Sequence, residues 1–423
     1  VSEIVDVAIV GGGMVGATLA VALGRVGMKV VVVDQADPKT LIDAAHDGRS
    51  SAIAYGTRKI LEMAGVWSSL TSFAQPILDI RVTDGQIGQP ASSLFLHYDH
   101  RILEDEAGNA EPLGHIVENT QTRRALIGLL KETPGVTLLA PMRVDSVNRD
   151  QGGLASVSLS DGTTIRAALV VAADGRNSRL RQDAGIQAKD RPYDQMGIVC
   201  TIAHPLPHGG TAHEHFLPSG PFAVLPMVDD EHGHHRSSLV WTERKDVTDA
   251  IMALDDQSFS DEMTTRFGLS LGPLTLASPR WSYPLGLLTA ERYVDHRLAL
   301  VGDAAHAIHP IAGQGLNLGL RDVAVLAEIL VDARRLGMDI GTVELLHAYQ
   351  SARRPDVTAL GLVTDSLNKL FSNDIAAVRT VRDVGLAVVD RIDPVKRVLM
   401  KHAMGSLESP LGKLPRMAKG EAL

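Results

Sequence analysis

Apolar residues recur along the chain with different spacings, and each spacing predicts an element. Val5 to Val10 is a short run rich in β-branched residues, Met14 to Val26 carries small and apolar residues at helical spacing, and Lys29 to Val33 is a second apolar run. The chain therefore opens as strand, helix and strand. The period is helical from Ser50 to Ala64, alternates from Ile77 to Leu96, and becomes helical again from Asn119 to Lys131. Val136 to Leu139, a hairpin over Leu154 to Ile165 that turns at Asp161-Gly162, and the uniformly apolar Leu169 to Ala172 predict strands. Residues 186 to 290 change texture, with turns rich in Pro, Gly and His between strands such as Ala223 to Met227 and Ser238 to Thr242. Leu298 to Val301 predicts a strand, and Leu316 to Leu336 a long helix with Leu320, Val323, Leu326, Ala327 and Leu330 on its apolar side. After Pro355 the spacing predicts three amphipathic helices, near 358–371, 375–391 and 395–404.

A chain of 423 residues is too long for one ordinary core. The order of elements assigns 1–76, 98–185 and 290–355 to a discontinuous nucleotide-binding domain, 77–97 and 186–289 to a second, β-rich domain, and 356–423 to a helical C-terminal region. A hydrophobic content of 45% with 22% charged residues is that of a soluble globular protein. A net charge of -9 argues against a nucleic-acid partner, and 4% aromatic residues leaves little for base stacking. The single cysteine, Cys200, can form neither an internal disulfide nor a redox pair, so electron transfer requires a bound cofactor. Glu3 and Asp6 precede the first apolar stretch, which does not suit a secretion signal, and no run reads as a transmembrane helix. The sequence predicts a cytoplasmic protein.

GGGMVG supplies the G-x-G-x-x-G spacing at Gly11, Gly13 and Gly16, between a predicted strand and a predicted helix. The first glycine permits the tight turn, the second lets a pyrophosphate approach the backbone, and the third lets helix and strand pack closely. Asp34, at the end of the second strand, is placed to accept from a ribose hydroxyl. This unit binds a dinucleotide without separating NAD from FAD. LVVAADGRNSRLR then places Asp174-Gly175 and Arg181 after a buried strand.

GDAAHAIHPIAGQGLN, residues 302 to 317, combines a carboxylate, two histidines and a turn of small residues directly after a strand. A metal site, a phosphate cradle and a flavin seat all suit such a loop. His306 and His309 lack an intervening glutamate, and Pro310 disturbs the helix that would align them, so the loop predicts no metal site. Asp303 at the strand end can accept from a polyol, and the helix that follows offers a positive dipole end.

Taken together, GGGMVG, DGRSSAIAYGTRKILEMAGVW at 47–67, AADGRNSRLR and GDAAHAIHPIAGQGLNLGLRD resemble the FAD-dependent aromatic hydroxylases, most closely those of ubiquinone biosynthesis. HEHFLPSGPFAVLP, SLNKLF and DPVKR extend the resemblance over nearly the whole chain. It implies an α/β fold of the para-hydroxybenzoate hydroxylase type: a Rossmann-like FAD-binding domain, an inserted, mainly antiparallel β-sheet substrate domain, and C-terminal helices. By the same resemblance Gly11, Gly13, Gly16 and Asp34 hold the ADP part of FAD, although the family more often has Glu at the last of these. Asp174, Gly175 and Arg181 serve FAD and NAD(P)H, Gly302 and Asp303 the ribityl and pyrophosphate part, and Gly315, Leu316 and Asn317 the isoalloxazine. Arg49 contacts the flavin, and Arg123 stands where the family has a glutamine that reaches the cofactor. Pro310, Gly313 and Gly315 form the catalytic turn, and Phe222, Leu225 and Pro226 are the candidate wall of the substrate pocket.

The implied reaction is hydroxylation of a polyprenylated phenol, with FAD reduced by NADH or NADPH and oxygen from O2 passed on through a flavin C4a-hydroperoxide. No general base stands out in the sequence, so ring activation falls to the substrate's own phenol. A small soluble aromatic is the alternative substrate, and a non-catalytic FAD-binding scaffold the alternative role. Arg397 and Lys401 beside Leu399 in the last predicted helix suit a peripheral membrane surface or a partner in a biosynthetic complex.

Overall fold

The structure, a computed structural model, describes residues 4–43, 48–89, 95–103, 110–149, 153–309, 311–371, 390, 392–405 and 413–423. Its first layer is a sheet in which Val136–Leu139, Val30–Val33, Ile4–Val10, Thr164–Ala172 and Leu298–Leu300 lie side by side and parallel. These strands are apolar at successive positions, all four valines of Val30–Val33 being buried, because both faces of a parallel sheet are covered. The helices Met14–Arg25, Asn119–Glu132 and Gln314–Arg335 contribute Leu19, Leu126 and Leu326 to the same core. The predicted hairpin is present, with Ala155–Leu159 folding back on Thr164–Ala172.

The second layer is a nine-stranded sheet, largely antiparallel, built around Ala188–Ala203, Thr211–Leu217, Gly220–Met227, Arg236–Arg244 and Trp281–Ala290. Asp79–Asp84 and Leu96–Asp99 extend its far edge. A third sheet of Ser50–Ala54, Gly114–Glu118 and Gln75–Ile77 packs between the two, where Ile77 and Ile116 share a cluster with Ala212 and Met227 of the large sheet.

Three expectations are corrected. Ser50 to Ala54 is a strand, and the helix begins only at Tyr55. Its partner strand, Gly114–Glu118, lies far along the chain, and long-range pairing overrides the local spacing. Pro355 does not separate helices: Val343–Phe371 runs through it as one. Proline removes a helix hydrogen bond at a cost of about 3 kcal/mol. Arg353, beside it, is fixed by ion pairs to Asp322 and Asp356, both at 2.7 Å, and these hold the turn. The β-rich segment also contains two helices, Lys245–Met252 and Asp256–Phe267, the second capped by Asp255 accepting from the Ser258 N–H at 2.8 Å. The predicted helix near 375–391 lies outside the described residues except for Asp390, whereas the last one is present as Asp393–Ala403.

Candidate active site

The glycines of the first turn divide by what surrounds them. Gly11 has φ +106°, and a Cβ there would collide with the Ala173 carbonyl; one on Gly16 would collide with the carbonyl of Gly11. These two let strand and helix close together. A Cβ on Gly13 would meet nothing within 4 Å, so this glycine borders open space. Gly13 also starts the helix Met14–Arg25, which has no side-chain cap and no acidic residue in its first turn. Its first N–H groups are open to an anion. Asp34 stands beside the turn, its carboxylate accepting from the Gly12 N–H at 2.5 Å and the Ala36 N–H at 2.7 Å.

A second uncapped helix end faces the same region. Gly313 takes a left-handed φ of +60°, where a Cβ would also crowd Ala52 at 2.8 Å, and the helix Gln314–Arg335 follows without a side-chain cap or a first-turn acid. Gly315 is exposed, and nothing lies within 4 Å of the place its Cβ would take. Leu316 packs on the main core. The Asn317 side chain is fully buried, accepting from the Ala54 N–H at 2.9 Å and donating to the carbonyls of Ala52 at 2.8 Å and Gly313 at 2.9 Å. It fastens the helix end to the small sheet and leaves the backbone of this turn as the part that can meet a ligand. The two helices converge because a Cβ on Gly319 would collide with Val15 and stand 3.3 Å from the Gly302 Cα. Only small residues let both helix ends and the loop after Leu298–Leu300 share one crevice at the strand ends, where open α/β sheets bind ligands.

That loop is braced from behind. Asp303 is exposed while Gly302 and Ala304 are buried, yet the surrounding protein pushes its carboxyl pKa up. Asp322 adds to that rise, and His306 and Arg176 oppose it. His306, 2% exposed, meets Asp322 Oδ2 at 2.7 Å; the same oxygen accepts from the Gly302 N–H at 2.9 Å, and Oδ1 accepts from Arg353 Nε at 2.7 Å. Burial alone would raise the pKa of Asp322, but His306 and Arg353 hold it below the usual carboxylate range. On the other flank Arg181, also buried, donates to the carbonyls of Ala304 and Arg176, both at 2.9 Å, which ties the Asp174-Gly175 turn to the Gly302-Asp303 loop. Asp174 Oδ2 accepts from the Leu180 N–H at 3.2 Å, while its Oδ1 is buried with no hydrogen-bond partner among the described residues, and Gly175 has φ +82°.

His309 is fully buried, its Nδ1 accepting from the Ile311 N–H at 3.3 Å and its pKa lowered by burial to about 4, so it is a neutral shaping residue. Pro310 between them lies outside the described residues. Among the described residues no His, Cys, Asp and Glu gather as a metal site. Arg49 is exposed, one residue after Gly48, which leaves no room for a Cβ against Trp281. Arg123 is half-buried and reaches Thr120 Oγ1 at 3.5 Å on its own helix.

The three candidate pocket residues do not form one wall. Side chains alternate along Gly220–Met227, so Phe222 and Pro226 point one way and Leu225 the other. Phe222 is 0% exposed, with its ring 5.6 Å from Trp241 and 6.4 Å from Phe267 in the core under the helices Lys245–Met252 and Asp256–Phe267. Leu225 packs on the opposite cluster, with Met227, Ile77 and Ile116, which faces the cofactor half. The sequence reading missed Asp322 and Arg353. A signal existed: Asp322 falls at the i+4 position between buried Leu318 and Leu326, and Arg353 between Tyr349 and Val357, so each is a charge set in an apolar helical stripe.

The sequence matches the FAD binding domain family over residues 4–361. The chain belongs to this family, that of the FAD-dependent aromatic hydroxylases, and its cofactor is FAD. Within it, the chain is 50% identical to the ubiquinone hydroxylase UbiL of Rhodospirillum rubrum, over 100% of this chain and 94% of that one. It is 33% identical to the 3-demethoxyubiquinol 3-hydroxylase of Escherichia coli, covering 95% of this chain and 98% of the relative. The p-nitrophenol 4-monooxygenase PnpA of Pseudomonas putida has the same fold, with a TM-score of 0.76 over 96% of this chain and 100% of that one at 19% identity.

Proposed function

We propose that the protein is an FAD-dependent monooxygenase that uses NADH or NADPH and O2 to hydroxylate the aromatic ring of a polyprenylated phenol in ubiquinone biosynthesis. The observation that carries this reading is the convergence of two uncapped helix ends, at Gly13 and Gly313, on the crevice beside Asp303. An elongated dinucleotide with a pyrophosphate in its middle and an electron-accepting ring at one end suits a crevice that two positive dipole ends share.

In this reading the N–H groups after Gly13 take the pyrophosphate. Asp34, whose oxygens each accept one backbone N–H, keeps a lone pair on each for the adenosine ribose. Asp303 would accept from the ribityl hydroxyls, with Arg49 and Arg123 as further contacts to the cofactor. Asp174, Gly175 and Arg181 hold the two loops together where the nicotinamide reductant enters. The backbone of Gly315, Leu316 and Asn317 would hold the flavin ring, and the helix dipole there would stabilise negative charge on it. FAD, when bound, supplies the electron transfer and oxygen activation. The chain excludes water with the apolar sheet face that carries Leu225.

The relatives named for ubiquinone chemistry support a prenylated substrate. Among the described residues no helix is long and apolar enough to cross a membrane. Exposed Leu362, Val363, Val398 and Leu399, with Arg397 and Lys401, favour peripheral contact with the membrane that holds such a substrate.

The reading is tested with purified protein, NAD(P)H and isotope-labelled O2, offered a phenol with and without a short prenyl tail. Labelled oxygen in the ring of the prenylated product is expected, with faster NAD(P)H oxidation when the tail is present. Fully coupled turnover of the untailed phenol with no gain from the tail overturns the substrate assignment.

A further inference from the structure

We propose that Glu214 is the proton acceptor for the ring hydroxyl of the substrate, a catalytic residue carried on the sheet face that closes over the cofactor crevice. The assignment rests on the hydroxylase reading above and supplies the general base that the sequence does not reveal.

Register fixes where Glu214 stands. It pairs with Val82 on one side and Ala223 on the other, Ala223 pairs with Val240, Val240 with Val199, and Val199 with Trp281. One transverse row of the sheet is thus apolar except for this carboxylate. The two residues flanking it on the same face of its strand locate that face. Ala212 packs with Ile77 and Ile116 of the small sheet, and Phe216 packs with Ile311 of the turn before the Gln314–Arg335 helix and with Phe371. Glu214 therefore lies between the small sheet and the flavin turn, in the layer where an aromatic ring must enter. His213 and His215, its chain neighbours, point to the opposite face.

The carboxylate is enclosed yet keeps part of its surface open, and among the described residues nothing bonds to it. Burial alone pushes its pKa up to about 7, and no charged side chain contributes. The titratable and charged groups on the elements packed around this face include Asp84, Tyr98, Tyr193, Arg236, Tyr283, His309 and Asp365, with Arg49 beside Tyr283. The three tyrosines are raised by burial, His309 is neutral, Arg236 pairs with Glu118 at 3.4 Å and Asp365 with Lys369 at 2.7 Å. A structural carboxylate in this position would have found a donor, whereas a base must be left free for its substrate, with a pKa near the working pH.

The proton balance is simple. The phenol O–H bond breaks, its electron pair stays on the ring oxygen and feeds the carbon to be attacked, and the proton forms an O–H bond on Glu214. After the oxygen atom has been delivered, the hydrogen displaced from the ring leaves as a proton and ends in the water made from the second atom of O2. Glu214 then returns its proton to the ring oxygen.

The test is the variant Glu214→Gln in the FAD-loaded enzyme. It should keep full FAD occupancy and still oxidise NAD(P)H with a prenylphenol present, while hydroxylated product falls about 100-fold and H2O2 replaces it. The wild-type hydroxylation rate should rise with pH through about 7, and that limb should vanish in the variant. A fluorinated prenylphenol, more acidic at its own hydroxyl, should recover most of the loss. If Glu214→Gln loses FAD, Glu214→Asp takes its place and should move the limb to lower pH. Wild-type product yield or an unchanged pH limb in the variants overturns the assignment. Wild-type enzyme that hydroxylates no prenylphenol instead overturns the hydroxylase reading, and the Glu214 role falls with it.

Discussion

Asp322 and Glu214 are both carboxylates enclosed by protein, one behind the cofactor crevice and one on the sheet that faces it, and their surroundings move them in opposite directions. Asp322 is 0% exposed and holds His306, Arg353 and the Gly302 N–H at once, which keeps it ionised. Glu214 has burial without compensation and sits near neutrality. The cofactor half uses its buried charge for rigidity, while in the substrate half Glu214 has no side-chain partner among the described residues, as the proposed base requires. Desolvation is the first influence on each; partners decide the outcome.

Removing Asp322 should break the comparison most severely. Asp322→Ala leaves Arg353 buried without its principal partner, for an expected loss of ~3–5 kcal/mol read from urea denaturation, together with loss of FAD as the Gly302 turn loosens. On the opposite side the sign reverses. Because the folded pKa of Glu214 is raised from 4.5 to about 7, the native state binds more protons than the unfolded chain over that window, and stability falls as pH rises through it. Glu214→Gln removes this penalty, so the variant should be more stable than wild type by on the order of 2 kcal/mol at pH 8 after discounting for partial exposure, with the gap closing below pH 4.5. Stability curves at the two pH values check it; a variant destabilised at pH 8 contradicts the isolation of Glu214.

Smaller changes sharpen the contrast between holding and reacting. Asp303→Ala should weaken FAD about tenfold, near 1.4 kcal/mol, in a titration of apoprotein whose melting temperature is unchanged. Least of all, Leu225→Ala should raise the KM for a prenylphenol a few-fold through lost apolar contact worth about 1 kcal/mol, whereas Phe222→Leu should cost about that much stability with KM unaltered. Equal effects of the two on KM would mean that the alternation along Gly220–Met227 does not separate pocket from core.

Much of the fold is legible where one local rule suffices. The strand, glycine turn and helix at Ile4–Arg25, the valine run at Val30–Val33 and the long helix at Gln314–Arg335 follow from period and the glycines that precede each helix. The Ser50–Ala54 strand does not, since its pairing partner begins only at Gly114 and its own residues fit a helical period equally well. Pro355 misleads for a related reason: the ion pairs that hold its turn reach Asp322, on another helix. Residue types flag Asp303 and the glycines, but which glycines face open space and which face a carbonyl depends on Ala173 and Ala52 approaching from elsewhere. Glu214 is invisible in the sequence because its isolation is the sum of five pairings across the sheet, and a lone Glu among histidines looks like surface.

The discontinuity of the parallel sheet has a consequence for how the chain is made. The Val170–Ala172 end of its strand gains an outer neighbour only when Leu298–Leu300 arrives, and Val15 of the Met14–Arg25 helix is covered by the later Gly302 and Gly319. A ribosome that has synthesised the first two hundred residues therefore carries a sheet with a raw stretch of edge and an apolar helix whose Val15 side is still open, a state prone to stick to its neighbours. Translation must pass the flavin turn before the oldest part of the protein can close. A pause shortly before Gln314 should be the most aggregation-prone moment in its synthesis, and added FAD can rescue the nascent chain only after that helix has emerged.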